Sequence, residues 1–164
     1  MSRELTLLEK LLMLIPGYHG YKQKELIRED DKLVRERAAT ELDEARILIE
    51  KIMPSFSGDW ATLEKLDSLR KDLEFLAQKI RHASLGYSGY FDRVKVREDE
   101  LRKLLEYDYQ LVTLSKELRE TIEKMASLIR ERGRFLAETA NAEAKIAELS
   151  LVIERRNKVL LGGV

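Results

Sequence analysis

The stretch "LRKLLEYDYQLVTLSKELRETIEKM", residues 101–125, carries a large apolar side chain at every seventh position. Those positions are Leu104, Leu111, Leu118 and Met125. Because seven residues make about two turns of an α-helix, all four side chains lie along one face. Charged residues occupy much of the remaining circumference, which is typical of a helix with one buried and one solvated side. The pattern predicts a long amphipathic helix that packs against other helices.

The same seven-residue frame continues toward the C-terminus with less regularity. It passes through Arg132 and Thr139 and returns to apolar residues at Ile146, Ile153 and Leu160. The companion positions on the same face hold a mixture of apolar and polar residues: Leu101, Asp108, Ser115, Ile122, Ile129, Leu136, Glu143 and Ser150. The apolar face is therefore interrupted, although helix is predicted from about residue 97 to about residue 160.

We place a kink or a break near Gly133, because a glycine inside a helix costs about 1 kcal/mol relative to alanine. The 164 residues are interpreted as one domain, with a bundle over 1–131 and a C-terminal helical extension over 132–164. The extension is either continuous with the preceding helix or separated from it. We expect it to project beyond the bundle and to pair with another copy or another protein.

Three earlier segments also have helical periodicity: residues 3–15, 22–53 and 60–83. Pro16 ends the first, and Asp59 is a candidate N-cap for the third. The apolar stripes of the second and third segments hold Leu26, Leu33, Leu42, Ala45, Ile49 and Ile52, and Leu66, Leu69, Leu73, Leu76, Ile80 and Ala83. The sequence thus predicts an all-α, antiparallel helical bundle with long helices and a coiled-coil-like C-terminal helix.

Composition narrows the class of partner. Charged residues make up 37% of the chain, and thirty basic side chains balance thirty acidic ones. Zero net charge argues against a nucleic-acid partner, which usually requires a basic stripe. The absence of cysteine excludes disulfides and thiolate metal sites. The sequence contains no run of about 18 uncharged apolar residues, so no membrane span is predicted. The N-terminal residues also lack a signal-peptide pattern, and a cytoplasmic location is therefore expected.

Two short stretches resemble each other: "GYHGY" at residues 17–21 and "GYSGYF" at residues 86–91. An ungapped alignment of the two also superimposes an Arg-Glu-Asp triplet, at residues 28–30 and 97–99. Each stretch leaves one predicted helix and leads toward another. Duplication of a helix–loop–helix unit and convergence of two similar corners both explain the match, and the sequence leaves both open.

The tyrosines of these corners have two interpretations. In the structural one, the glycines let a helix end and reverse, while each tyrosine ring covers the bundle end and its hydroxyl bonds a helix-end carbonyl. In the functional one, the aromatic side chains form a surface for a protein partner, because they offer a large contact area at low entropy cost. The partner-binding candidates are Tyr18, Tyr21, Tyr87 and Tyr90.

The motifs of common catalytic and metal sites do not occur. No glutamate lies three residues before His19 or His82, so the Glu-x-x-His pairs of di-iron bundles are missing. Neither a phosphate-binding glycine loop nor a nucleophile elbow occurs. We therefore predict no catalytic residue, no metal and no cofactor.

Asp108 is an acidic residue on an apolar face, between Leu104 and Leu111. A buried carboxylate requires a partner, since leaving it unpaired away from water is costly. Arg28 or Arg35 on a facing helix would supply an ion pair. A catalytic role and local exposure are the alternatives.

The leucine-rich segment 3–15 also has two interpretations. Its apolar side either packs against the other helices or lies in a membrane interface, with Leu5, Leu8, Leu12 and Ile15 as the membrane-surface candidates. Its polar side carries as many acids as bases, so anionic lipid would attract it weakly.

The sequence favours a non-enzymatic interaction or scaffolding protein that acts through coiled-coil or helix-face contacts. A protein partner or self-association is expected. The alternative is a peripheral membrane-associated protein that uses the amphipathic N-terminal helix, 3–15.

Overall fold

The computed structural model of the protein describes residues 6–23, 26–82 and 98–160. These ranges contain five α-helices: α1 Leu7–Leu14, α2 Ile27–Ile52, α3 Trp60–His82, α4 Glu98–Ser127 and α5 Arg132–Leu160. A short 3₁₀ turn, Met53–Phe56, connects α2 to α3. The described ranges contain no β-strand. The predicted all-α helical bundle is confirmed.

The two long C-terminal helices pack side by side in opposite directions. Lys124 on α4 pairs with Glu138 on α5 at 2.9 Å, and Glu117 pairs with Lys145 at 3.7 Å. Because the residue number falls along α4 as it rises along α5, the pair is antiparallel.

α2 lies between α3 and α4 and contacts both. α3 returns antiparallel to α2 after the 3₁₀ turn, and Arg81 near its end pairs with Asp43 of α2 at 2.7 Å. On the other side, Arg119 of α4 pairs with the buried carboxylate of Glu41. The bundle thus consists of two helical hairpins, α2–α3 and α4–α5, joined mainly through α2 and α4.

Buried side chains recur along α4 and α5 at alternating spacings of three and four residues, as helix packing requires. On α4 they are Leu104, Asp108, Leu111, Ser115, Leu118, Ile122 and Met125. On α5 they are Phe135, Thr139, Ala142, Ile146, Leu149, Ile153, Arg156 and Leu160. The apolar members join those of α1, α2 and α3 in one core. Each of these two faces also carries one charged residue, Asp108 or Arg156.

The helical structure is interrupted between α4 and α5 at residues 128–131, just before Gly133, where a kink or break was predicted. Backbone N–H groups of Leu128 and Glu131 donate to the carbonyls of Met125 and Leu128 at 2.9 and 2.8 Å, which closes the turn. The expectation that residues 132–164 project beyond the bundle is wrong for the described part, Arg132–Leu160, because α5 folds back along α4. In this arrangement the apolar face of α5 is buried in the common core.

The turns at this end of the bundle hold α3 and α5 together. Asp59 caps α3, as predicted, by accepting the backbone N–H of Thr62 at 3.2 Å. Hydrogen bonds from Thr62 lower the pKa of Asp59. Arg132, the first residue of α5, donates to the same carboxylate at 3.0 Å. Phe56 and Phe135 pack with ring centroids 4.8 Å apart.

Candidate functional site

The first glycine-tyrosine corner, residues 17–21, turns the chain between α1 and α2. Gly17 and Gly20 have φ of +87° and +67°, in the left-handed region that glycine adopts without steric cost. Tyr21 has φ of +62°, and a non-glycine residue held there costs roughly 1–3 kcal/mol. The surroundings of Tyr21 must therefore offset that strain.

Asp30, in the first turn of α2, holds the corner by its backbone. Its buried carboxylate accepts the N–H of His19 at 2.8 Å and the N–H of Tyr21 at 2.9 Å, one on each oxygen. Nδ1 of His19 also lies 3.2 Å from the carboxylate. A single side chain thereby satisfies two backbone donors of a turn that has left its helix.

Gly20 also lies close to α1. A Cβ atom at this position would stand 2.4 Å from Cδ1 of Leu8. Gly58 provides a matched comparison, because its φ is +91° while no atom lies within 4 Å of the place that a Cβ atom would occupy.

We expect Gly20→Ala to lower the free energy of unfolding by about 2–4 kcal/mol, through both backbone strain and displacement of Leu8. Gly58→Ala has only the backbone contribution and should cost about 1–2 kcal/mol. Urea denaturation of both variants measures the difference. Equal losses would show that the corner does not depend on close packing against α1.

Both tyrosines of this corner point into the bundle. The hydroxyl of Tyr18 donates to Oδ2 of Asp108 at 3.0 Å, and the hydroxyl of Tyr21 donates to the same oxygen at 2.5 Å. The two rings meet edge to face, with centroids 5.7 Å apart. Asp108 on α4 therefore ties the corner to a helix about ninety residues further along the chain.

Arg156 of α5 completes the coordination of this carboxylate. Its Nε donates to Oδ1 of Asp108 at 2.7 Å, and its Nη2 donates to Oδ1 of Asp31 on α2 at 2.5 Å. Nη2 also lies 3.5 Å from the Tyr21 hydroxyl. One guanidinium thus joins α2, α4, α5 and the corner.

Arg35 extends the network to α3. Its Nε donates to Oδ2 of Asp31 at 3.0 Å, and its Nη1 donates to the carbonyl of Arg81, in the last turn of α3, at 2.7 Å. We call the whole group the Tyr–Asp–Arg cluster: Tyr18, Tyr21, Asp31, Arg35, Asp108 and Arg156. Every member is at least 94% buried, which makes the cluster an interior feature.

The hydrogen-bond donors of the cluster fix its protonation states. Burial raises the pKa of the Tyr18 and Tyr21 hydroxyls well above the usual range, and the charge of Asp108 raises both further. Burial also raises the pKa of Asp108, against the opposing charge of Arg156. Burial alone would lower the pKa of Arg156, but the nearby carboxylates raise it. Since three donors point at Asp108, the arrangement fits a carboxylate held by two neutral phenols and a guanidinium.

Hydrogen bonding in the cluster is internally complete. Across the described ranges, the buried side-chain nitrogen or oxygen atom without a partner is Nε of Arg37, which lies outside the cluster. The same ranges contain no group of three or more histidine or acidic side chains placed to hold a metal ion. The cluster is therefore a buried polar network whose members satisfy one another's hydrogen bonds.

The structure describes two of the four partner-binding candidates, Tyr18 and Tyr21, and both lie inside the bundle. Tyr18 and Tyr21 are 3% and 6% exposed, so neither side chain is presented to a partner in this structure. Their hydroxyls reach a carboxylate rather than a helix-end carbonyl. Tyr87 and Tyr90 lie outside the described residues.

The partner of Asp108 is also different from the expected one. We expected Arg28 or Arg35, whereas the ion pair forms with Arg156, and Arg35 pairs with Asp31 in the same cluster. The cause is the fold-back of α5, which the sequence interpretation had placed outside the bundle. Asp30, Asp31 and Arg156 are the site residues that sequence reasoning missed.

α1 packs on α4 with part of its apolar side uncovered. A capping box starts the helix: the Thr6 hydroxyl accepts the backbone N–H of Glu9 at 3.2 Å, and the Glu9 carboxylate accepts the backbone N–H of Thr6 at 3.1 Å. Leu11 is fully buried. Of the membrane-surface candidates, Ile15 is buried, Leu8 is half-buried and Leu12 is 45% exposed, while Leu5 lies outside the described residues.

An open groove of about 460 Å³ runs between α1 and α4. Its walls are Lys10, Met13, Leu14, Tyr109, Thr113, Lys116, Glu117 and Glu120. Met13, at its rim, is 74% exposed, and its neighbour Leu12 adds further apolar surface. We call the groove together with Leu12 the α1–α4 patch. The sequence did not locate this patch, since residues 3–15 suggested one continuous apolar face.

Comparison with known proteins provides no family for this chain. No protein-family model matches it, and neither the curated proteins nor the solved structures gave a match. Within the described ranges, no helix combines the length and apolarity required to cross a bilayer. Its function must therefore be inferred from the geometry of the chain itself.

Proposed function

We propose that the protein is a non-enzymatic interaction module that binds a partner protein through the α1–α4 patch. The observation that carries the proposal is the 74% exposure of Met13 at the rim of a groove about 460 Å³ in volume. An exposed flexible side chain beside an unfilled groove is typical of helix-face recognition. The proposal retains the cytoplasmic location expected from the sequence.

The rest of the bundle supports this role by fixing the position of α1. The corner that follows α1 is attached to α2 by Asp30 and to α4 by Asp108. A patch that is preorganised in this way loses less conformational entropy on binding than one carried on a free helix. We interpret the Tyr–Asp–Arg cluster as the support of the interaction surface.

Peripheral membrane binding through residues 3–15 is the alternative, and it would use the same two exposed residues. It is less well supported, because Leu11 and Ile15 are buried against the bundle. In the described part of this segment the exposed large apolar side chains are Leu12 and Met13, and membrane binding grows with the apolar area that is buried.

A photo-crosslinking amino acid at position 13 tests the proposal in cells that make the protein. We expect a discrete crosslinked protein product from position 13 and none from position 60, where Trp60 is 83% exposed on α3. Glu120→Lys, which changes the facing wall of the groove, should lower the yield at position 13. Equal crosslinked products from both positions, or a yield from position 13 that does not change with Glu120→Lys, would contradict a specific site.

A further inference from the structure

The charges around the α1–α4 patch are of both signs. Lys10 and Lys116 line the groove together with Glu120. Within the part of the chain that the structure describes, none of these three side chains forms an ion pair, although Lys10 lies 5.9 Å from the centre of the Tyr109 ring. A partner surface with charges of one sign would pair with only some of these three side chains, whereas a partner surface with both positive and negative charges would pair with all of them.

The patch also holds a protrusion and a recess side by side. Met13 projects at the rim, and the groove between α1 and α4 lies immediately next to it. In a two-fold dimer each surface meets its own copy, so the protrusion and the recess of one copy meet the recess and the protrusion of the other. The protrusion of one copy then enters the recess of the other.

We propose that the occupant of the α1–α4 patch is a second copy of this chain, related by a two-fold axis. The proposal rests on the function proposed above and names its partner. Met13 of each copy inserts into the groove of the other, and Lys116 of each copy faces Glu120 of the partner copy. The reciprocal pairs place opposite charges together at both edges of the interface.

The overall charge of the protein is compatible with this association. Thirty basic and thirty acidic side chains give each copy a formal net charge of zero, so two copies do not repel each other through their net charge at neutral pH. Other exposed large apolar residues do not line the groove: Ile47, Trp60, Phe75 and Leu151. They lie on α2, α3 and α5 and provide controls for nonspecific stickiness.

Sedimentation velocity of the full chain, from low to high micromolar concentration, tests the proposal. We expect a reversible monomer–dimer equilibrium in which Met13→Glu raises the dissociation constant about tenfold or more. Phe75→Glu removes an apolar side chain of similar exposure, 65%, from another helix and should leave the equilibrium unchanged. A chain that is monomeric throughout, or a dimer that Phe75→Glu weakens as strongly as Met13→Glu does, would overturn it.

Charge reversal gives an independent measurement. Lys116→Glu and Glu120→Lys should each weaken the dimer, and the double variant should restore it, because each reversed charge again meets its opposite on the partner copy. Additive weakening in the double variant would overturn the proposed pairing.

The same experiments distinguish self-association from binding of another partner. A monomeric chain whose position 13 crosslinks to a different protein, in a manner sensitive to Glu120→Lys, supports the interaction module and overturns the self-association. A monomeric chain that co-sediments with phosphatidylcholine–phosphatidylserine vesicles and loses this with Met13→Glu overturns both in favour of the membrane alternative.

Discussion

Arg156→Met is expected to lower the free energy of unfolding by about 3–5 kcal/mol, because it leaves two buried carboxylates without their shared guanidinium. Arg156 is 2% exposed and joins Asp31 and Asp108 at 2.5 and 2.7 Å. Folded domains are stable by only about 5–15 kcal/mol, so this loss is a large part of the total. For a chain of this length we expect the melting temperature to fall by roughly 6–20 °C.

Urea denaturation at neutral pH measures the change, with Arg102→Met as the matched control. The Arg102 side chain is 82% exposed and lies 3.8 Å from Glu106, so its replacement should change stability by less than about 0.5 kcal/mol. Arg156→Lys, which keeps the charge and loses the planar fork, should lie between the two. A loss below about 1 kcal/mol for Arg156→Met would mean that the buried charges are not held as the structure shows.

The second large effect is expected at alkaline pH. Tyr18 and Tyr21 have pKa values raised well above the usual range in the folded state, whereas an unfolded tyrosine ionises near pH 10. The folded state therefore retains protons that the unfolded state loses, and the stabilisation present below pH 10 is lost as pH rises above it. Two such groups give a loss of about 3 kcal/mol between pH 9 and pH 11.

The charged groups that act on these phenols are those of the surrounding helices. Asp30 and Asp31 come from α2, Asp108 from α4 and Arg156 from α5. The three acids disfavour a tyrosinate and Arg156 favours one, so burial and the carboxylates together outweigh the guanidinium. Because the folded state disfavours the tyrosinate, stability falls as pH rises.

Stability from urea denaturation at pH 9, 10 and 11 tests this for the wild type and for the Tyr18→Phe/Tyr21→Phe double variant. The double variant should be less stable at pH 7 but should lose about 3 kcal/mol less over the alkaline range. Tyr107→Phe, which alters a half-buried tyrosine outside the cluster, should retain the wild-type decline. An identical alkaline decline in the double variant would show that the two phenols are not held protonated.

Much of the fold followed from periodicity. The predicted segments 22–53 and 60–83 correspond to α2, Ile27–Ile52, and α3, Trp60–His82. A kink or break was predicted near Gly133, and the structure has it at residues 128–131, just before that glycine, which itself lies in the first turn of α5. These features depend on neighbours in sequence, which is why the sequence alone was sufficient.

The partner of Asp108 was missed for a geometric reason. The sequence interpretation carried one heptad frame through residues 128–131 and chose Glu143 and Ser150 as face positions of the last helix. In the structure the heptad positions of α5 stay buried as the frame predicts: Thr139, Ile146, Ile153 and Leu160. Their buried companions lie three residues further along rather than four, so that Leu149 and Arg156 face the core and Glu143 and Ser150 do not. An arginine three residues after Ile153 and four before Leu160 was the available signal.

The corner shows the same limit. Its glycines predicted a sharp turn, and the structure has both of them at positive φ. The destinations of Tyr18 and Tyr21 depend on which helix faces the corner, and that helix is some ninety residues away. Short-range patterns contain no information about such a pairing, so the hydroxyl–carboxylate contacts form only when the helices are assembled.

The position of Arg156 along the chain has a consequence for synthesis on the ribosome. Its contacts reach back 48 residues to Asp108, 125 to Asp31 and 135 to Tyr21. Because translation proceeds from the N-terminus, both acids emerge before the guanidinium that joins them, and of the two only Asp31 has an early partner, Arg35. We therefore expect Asp108 to reach its native buried contacts only after residue 156 has been synthesised.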